Sequence, residues 1–247
     1  MVRPQPLSGA EDRFCQSLKA AGAEPLHYPV LRLQPLATPG KPGVISDIIQ
    51  KLAEYDVVIT ISPTAACLAV DWIDHYWPEV PVHPRFFAVG ATTAEQFAQM
   101  GLAVTSPPTD MTSEGLLALP ELQDMSHQRV LIFRGEGGRD LLAAELERRG
   151  ASVQYAELYR RERCEQHRDA IVKALAVGVA AVAIHSQELL NSLLYQLDER
   201  STELLKRIPI VVPSERVAEQ ARQCGCDRVI VATNALPESM VSALSGC

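Results

Sequence analysis

The sequence predicts an α/β protein: parallel sheets flanked by helices, in two lobes related by an internal repeat, with the active site in the cleft between the lobes. Three observations carry this. Short runs rich in Val and Ile alternate with helix-period patterns, the signature of βαβ units. Sequence motifs recur at near-constant spacing in two halves of the chain. Two Pro-rich or charged stretches fall at matching points of those halves.

The strand expectations, in order, are 57–61, 85–89, 130–133, 180–184, 208–212 and 229–232. Their continuous apolar character fits strands covered on both faces, as parallel sheets are. Helix-period patterns follow at 140–149, 188–197 and 215–224. In such sheets, ligands bind off the carboxyl ends of the strands.

The repeat is visible in Leu18-Lys19-Ala20-Ala21-Gly22-Ala23-Glu24 and Leu146-Glu147-Arg148-Arg149-Gly150-Ala151-Ser152. Each is expected to lead into a strand holding a Tyr, Tyr28 in one copy and Tyr155 with Tyr159 in the other. Ala94-Glu95-Gln96 with Gly101 recurs as Ala218-Glu219-Gln220 with Gly225, and Ser62 matches Ser186 at the same spacing. Either the halves share a plan by descent, or all βαβ units look alike. The Pro-rich stretch 33–42 and the charged stretch 160–167 read as linkers, so the chain crosses twice between lobes. The expected boundaries are 1–32 with 168–247 for the first lobe, 37–160 for the second, and 33–36 and 161–167 for the connectors.

Composition removes several function classes. The chain has 247 residues and a net charge of −7. A nucleic-acid binder needs an excess of Lys and Arg. The longest apolar run, 174–184, is eleven residues, while a membrane span needs about 20. The N-terminus lacks the apolar core of a signal peptide, so the expectation is a cytoplasmic protein with no membrane partner. Of six cysteines only Cys224 and Cys226 are close, and no further metal ligands stand at matching spacing. Free, mostly buried thiols and no metal site are expected.

Three places could carry chemistry. Arg134-Gly135-Glu136-Gly137-Gly138-Arg139-Asp140 joins a strand to a helix. Its glycines let backbone approach a ligand, and Arg134 and Arg139 add planar donors for carboxylate or phosphate. It reads either as an anion site or as a tight turn with solvated arginines. A set of hydroxyls stands at strand ends: Thr60 and Ser62, Thr92 and Thr93, Ser186, and Ser214. Each is placed to cap a helix; together they would form a row of helix N-termini able to hold several anions without net positive charge. Tyr159 ends a strand in which Val153, Tyr155, Glu157 and Tyr159 share one face by alternation. It is either a proton donor or an amphipathic Tyr at a rim. His185 and Ser186 are adjacent on a strand and point apart, which speaks against a Ser–His dyad.

With these residues assembled, the chain resembles the uroporphyrinogen-III synthase family. The strongest match is the segment 130–160, with strand, glycine turn, helix and Tyr-bearing strand. Arg3-Pro4 looks like the family's Thr-Arg-Pro, and Thr60-Ile61-Ser62-Pro63, Val89-Gly90-Ala91-Thr92-Thr93-Ala94 and Val212-Pro213-Ser214 fit its other loops. The resemblance implies two lobes joined by a two-stranded connector. It implies cyclisation of linear hydroxymethylbilane to uroporphyrinogen III, with ring D inverted through a spiro intermediate and loss of water, without cofactor. It implies Tyr159 as proton donor. Arg3, Ser62, Thr92, Thr93, Arg134, Gly135, Gly137, Gly138, Arg139, Ser186 and Ser214 would hold the eight carboxylates. A monomer receiving its substrate from hydroxymethylbilane synthase is expected. Here the strand before Arg3 is short or absent, only Ser186 of the family's Thr-Ser carries over, and Glu188 is expected to face away from the polyanion. The alternatives are a two-lobed module that clamps a small anion and a nucleotide-sugar transferase.

Overall fold

The structure, a computed structural model, describes Pro4 and residues 12–109, 111–138 and 140–245. In chain order its principal elements are α1 (Arg13–Ala20), β1 (Leu31–Pro35), α2 (Val44–Gln50), β2 (Val57–Thr60), α3 (Pro63–Tyr76), β3 (Arg85–Ala88), α4 (Ala91–Ala98), β4 (Val104–Thr105), α5 (Ser113–Leu117), β5 (Arg129–Gly135), α6 (Leu141–Arg148), β6 (Ser152–Arg163), α7 (Arg168–Val177), β7 (Val182–Ala183), α8 (Gln187–Gln196), α9 (Glu199–Arg207), β8 (Ile210–Val212), α10 (Glu215–Gln223), β9 (Val229–Val231) and α11 (Pro237–Leu244). The chain divides into two compact units, Met1–Leu33 with Glu162–Cys247, and Gln34–Arg161.

The middle unit is built on a sheet in the order β1-β6-β5-β2-β3-β4. The pairs β6/β5, β5/β2, β2/β3 and β3/β4 are parallel. The central strands carry side chains buried on both faces: every residue of β2, and all of β5 after Arg129. Alternate residues sort to the two sides. Val57, Ile59, Val130 and Ile132 pack with Leu116, Leu142 and Leu146 from α5 and α6. The other unit holds a smaller parallel sheet, β7-β8-β9. Its core joins Ile184, Leu189, Leu193, Ile210, Val212 and Val217, and Phe14 and Leu18 of α1 pack with Ala183, Val211 and Met240 in a second cluster.

Sequence expectation and structure differ in identifiable ways. The stretch 33–42 is not wholly linker: Leu33–Pro35 finish β1, next to β6 at the sheet edge. The charged stretch beginning at Arg160 continues β6 as far as Arg163. The run 180–184 yields only Val182–Ala183 as strand. Tyr28 precedes β1 rather than lying in a strand; its ring sits 6.0 Å from that of His167.

The repeated motifs prove to be helix stops. Gly22 and Gly150 have φ of 80° and 97°, and the next N–H closes on the carbonyl five residues back, Ala23 to Leu18 and Ala151 to Leu146, both at 3.0 Å. Gly101 and Gly225 end α4 and α10 in the same way. Only a residue without Cβ takes this left-handed conformation at low cost. Among the described residues, no helix is long and apolar enough to cross a membrane, and Cys15, Cys67, Cys164, Cys224 and Cys226 form no disulfide. Burial pushes the Cys226 thiol up to about 11.

Candidate active site

In the middle unit the chain runs outward from β2 through β3 to β4, then returns to place β5 on the other side of β2. Strand order therefore reverses between β2 and β5. At such a switch point the two crossover connections leave in opposite directions and open a crevice at the carboxyl ends of the strands. Two segments leave that edge: Ile61-Ser62 after β2 and the glycine turn after β5.

Ser62 is extended (φ −159°, ψ 151°) and caps α3, its hydroxyl oxygen accepting from the Ala65 N–H at 3.1 Å, with Pro63 at the first helical position. Pro at that position loses no hydrogen bond, because the first-turn N–H groups have no helical partner. The same Ser62 oxygen lies 3.2 Å from the Tyr159 hydroxyl.

Tyr159 reaches this place through an irregularity that simple alternation does not predict. Arg134 pairs with Glu157, but Gly135 pairs with Tyr159, so Leu158 is an extra residue in β6. A bulge of one residue reverses the pleat beyond it. Tyr155 and Glu157 stay on the face of Ile132 and Arg134. Tyr159 crosses to the face of Phe133, which corrects the expectation that Val153, Tyr155, Glu157 and Tyr159 share a side. Its ring then lies against the backbone of Gly135, where a Cβ would stand 2.7 Å from the ring Cζ. Tyr159 is 2% exposed, and its carbonyl accepts from the Glu136 N–H at 2.6 Å. Arg161 donates from Nη2 to the Tyr159 hydroxyl oxygen at 3.3 Å, with its guanidinium 5.5 Å from the ring centroid. Arg161 escaped the sequence reading. Its signal was present, two positions beyond Tyr159 and so on the same face.

The glycine turn is built differently. Arg134 is 2% exposed. Its guanidinium donates to the Asp140 carboxylate at 3.0 Å, to the Gly135 carbonyl at 3.2 Å and to the Gly137 carbonyl, and lies 4.4 Å over the Tyr155 ring. The Gly137 N–H donates to the Glu157 carboxylate at 3.2 Å. Gly137 and Gly138 have φ of 71° and 103°, so the turn needs glycine there. Burial pushes the Tyr155 phenol up, against the lowering effect of the Arg134 charge. The role of anion donor expected for Arg134 is not what the geometry displays: the guanidinium binds the chain's own oxygens and closes the turn. Arg139 lies outside the described residues, as does Arg3.

The remaining expected residues divide. Gly90, not a threonine, is the N-cap of α4; Thr92 and Thr93 lie inside its first turn, Thr92 exposed and Thr93 buried. This corrects the capping role, because a side chain within the first turn no longer faces the free N–H groups. Ser186 caps α8, accepting from the Leu189 N–H at 3.3 Å, while Ser214 caps α10 by backbone conformation with no side-chain bond to the helix. Both belong to the other unit, after the neighbouring strands β7 and β8. Glu188 is exposed in the first turn of α8.

Comparison with known proteins agrees on one family. A family model described as uroporphyrinogen-III synthase HemD matches residues 12–242. A uroporphyrinogen-III synthase of Salmonella typhimurium is 34% identical over 249 aligned positions, covering 99% of this chain and 98% of the relative. One of Escherichia coli is 32% identical over 253, with the same coverage. Among solved structures, a mutant uroporphyrinogen III synthase of Thermus thermophilus superposes with a TM-score of 0.59 at 19% identity, covering 99% of this chain and 96% of its own. A uroporphyrinogen-III synthetase of Helicobacter pylori gives 0.58 at 13%, covering 90% and 92%. The solved structures speak for the fold alone; the family model and full-length relatives carry the assignment, and with them the chain belongs to the uroporphyrinogen-III synthase family.

Proposed function

We propose that Tyr159 is the proton donor in the reaction this chain catalyses, the cyclisation of linear hydroxymethylbilane to uroporphyrinogen III. The observation that carries the role is the Ser62–Tyr159 hydroxyl pair, 3.2 Å apart at the switch point of the sheet. Loss of the terminal hydroxyl as water needs a proton. The pyrrole nitrogen then supplies the electrons, leaving an electrophilic azafulvene without help from a cofactor. Attack by the substituted carbon of ring D gives a spiro intermediate, which fragments and recloses with the ring inverted. Free in water the bilane closes directly to the unrearranged isomer, so the protein's main contribution is to hold a conformation from which the spiro route is faster. A phenol shielded from water gives its proton to the bound hydroxyl rather than to solvent.

The two units are lobes related by a repeat, bounded near 1–32 with 168–247 and 37–160, and joined by a two-stranded connector. Support comes from the matching caps at Ser62 and Ser186 and the matching glycine stops. In the middle unit the helix N-terminal turns at Ser62 and at Gly90 with Thr92 and Thr93 are carboxylate-binding positions; in the other unit the turns at Ser186 and Ser214 are, with Arg3 as a further donor. The Gly135–Gly138 turn supports the site rather than gripping an anion. The small-anion module and the sugar transferase both leaned on Arg134, whose donors meet internal oxygens. The protein acts as a cytoplasmic monomer supplied by hydroxymethylbilane synthase.

The test is a coupled assay with freshly made hydroxymethylbilane and no added cofactor, the products oxidised and isomers I and III separated. Isomer III in excess, lost on heating the protein, is the expected result; isomer I alone at the uncatalysed rate overturns the activity. Tyr159→Phe is expected to lower turnover by about one to two orders of magnitude with folding retained. Unchanged turnover removes Tyr159 from the chemistry.

A further inference from the structure

When Tyr159, a residue 2% exposed, releases its proton, a negative charge is left on its phenol oxygen. Little water reaches it, so protein donors must take up that charge. Two groups already touch the oxygen. Arg161 Nη2 donates to it at 3.3 Å. Ser62 Oγ stands 3.2 Å away and uses one lone pair for the Ala65 N–H, which leaves its own hydrogen free to rotate.

We propose that Arg161 and Ser62 form the donor pair that stabilises the phenolate of Tyr159, with Arg161 as the positioning residue for the proton donor. This rests on the reading of Tyr159 as the acid. In the resting state the Arg161 N–H fills one lone pair of the phenol oxygen, so the phenol hydrogen is aimed away from the guanidinium and is available to Ser62 or to substrate. In the reacting state that proton passes to the hydroxymethyl oxygen. The C–O bond breaks with its electron pair on the departing water, and the pyrrole nitrogen pair closes the azafulvenium. The phenolate keeps the electrons of the former O–H bond and receives hydrogen bonds from Arg161 and Ser62 together. Such bonds strengthen as charge develops, which is what raises kcat rather than affinity. On final ring closure the proton lost from the pyrrole carbon returns to the phenolate, so bilane becomes macrocycle plus water with no net proton.

Two other roles for Arg161 are separable from this one. As a clamp on a substrate carboxylate it would act on KM. As a structural prop it would act regardless of what stands at position 159. Arg161 is exposed, so its charge is partly screened, and the effect is set at about tenfold rather than the hundredfold or more of a buried oxyanion donor.

The experiment is steady-state kinetics of isomer III formation for the full chain and four variants: Arg161→Met, Arg161→Lys, Tyr159→Phe, and Tyr159→Phe with Arg161→Met, each checked by thermal unfolding. Arg161→Met is expected to lower kcat about tenfold with KM within about twofold. Arg161→Lys should recover most of the loss, because it restores a cationic donor. In the Tyr159→Phe background the Arg161→Met change should add less than about twofold, since the charge it serves no longer forms. A raised KM at unchanged kcat overturns the proposal in favour of a carboxylate clamp. A full tenfold loss persisting without the phenol overturns it as well. Wild-type kcat in Tyr159→Phe alone fails the acid assignment itself, and that result is distinguishable because Arg161 is intact there.

Discussion

Two turns stand side by side at the carboxyl edge of the same sheet, one after β5 and one after β2. The first is rich in charge and glycine; the second offers a single serine. Sequence alone draws the eye to the first. Yet its guanidinium and the Gly137 N–H meet Asp140, Glu157 and backbone carbonyls, while the second brings a hydroxyl to a tyrosine 97 residues distant in the chain. A motif's donors count for binding only when its own fold leaves them open. An acidic protein has carboxylates of its own to saturate an arginine turn, and in the described structure Asp140 and Glu157 do so.

Gly135→Ala places a methyl where the Tyr159 ring lies. It should displace the ring, lower turnover at least about tenfold and cost about 1–3 kcal/mol of stability through overpacking. Assay and urea unfolding together check it; full activity would mean that the close approach over Gly135 does not position the phenol. Arg134→Met leaves the Gly135 and Gly137 carbonyls without their guanidinium donor and should lose about 1–3 kcal/mol, with KM for the bilane changed less than twofold. A tenfold rise in KM at unchanged stability would return the glycine turn to the list of substrate-binding sites.

The caps provide a finer test. Ser62→Ala and Ser186→Ala each remove one N-cap bond, worth about 1 kcal/mol. If only the Ser62 position also serves the phenol, the two variants should lose similar stability in unfolding experiments while kcat falls more for Ser62→Ala. Equal kcat values would erase the distinction. The smallest effect concerns Glu145, whose bonds to Arg148 and Arg149 on α6 lower its pKa from 4.5 to about 2. A folded-state value below the unfolded one stabilises the protein above pH 4.5, and that contribution fades as pH falls toward 2. The difference in urea midpoint between the protein and Glu145→Gln should therefore be present at pH 6 and shrink on acidification. A difference independent of pH would assign it to lost packing instead.

Sequence and structure divide the remaining credit unevenly. The strand at 57–61 was legible because a short run rich in Val and Ile suits a strand covered on both faces, whereas Gly22, Gly101, Gly150 and Gly225 were legible only as a repeat, and the structure shows that they end helices in the left-handed conformation. Helix α2 was not legible: its seven residues directly follow the Pro- and Gly-rich segment 39–43, and helices that short draw their stability from packing. Thr92 and Thr93 misled because Gly90, lacking any side-chain signal, took the cap position.

Local chemistry by itself determined the alternation of strands and helices, because propensity and periodicity act over a few residues; the choice of Tyr159 as proton donor came with the family resemblance of the segment 130–160. Tertiary structure alone decided that β5 sits beside β2, that one extra residue in β6 turns Tyr159, and Arg161 with it, to the other face of the sheet, and that Arg134 is closed in by Asp140 and Glu157. The reason is one of range. Strand order and register come from burying both faces of a sheet at once, a condition that couples residues far apart in the chain and leaves no mark on any one stretch of it.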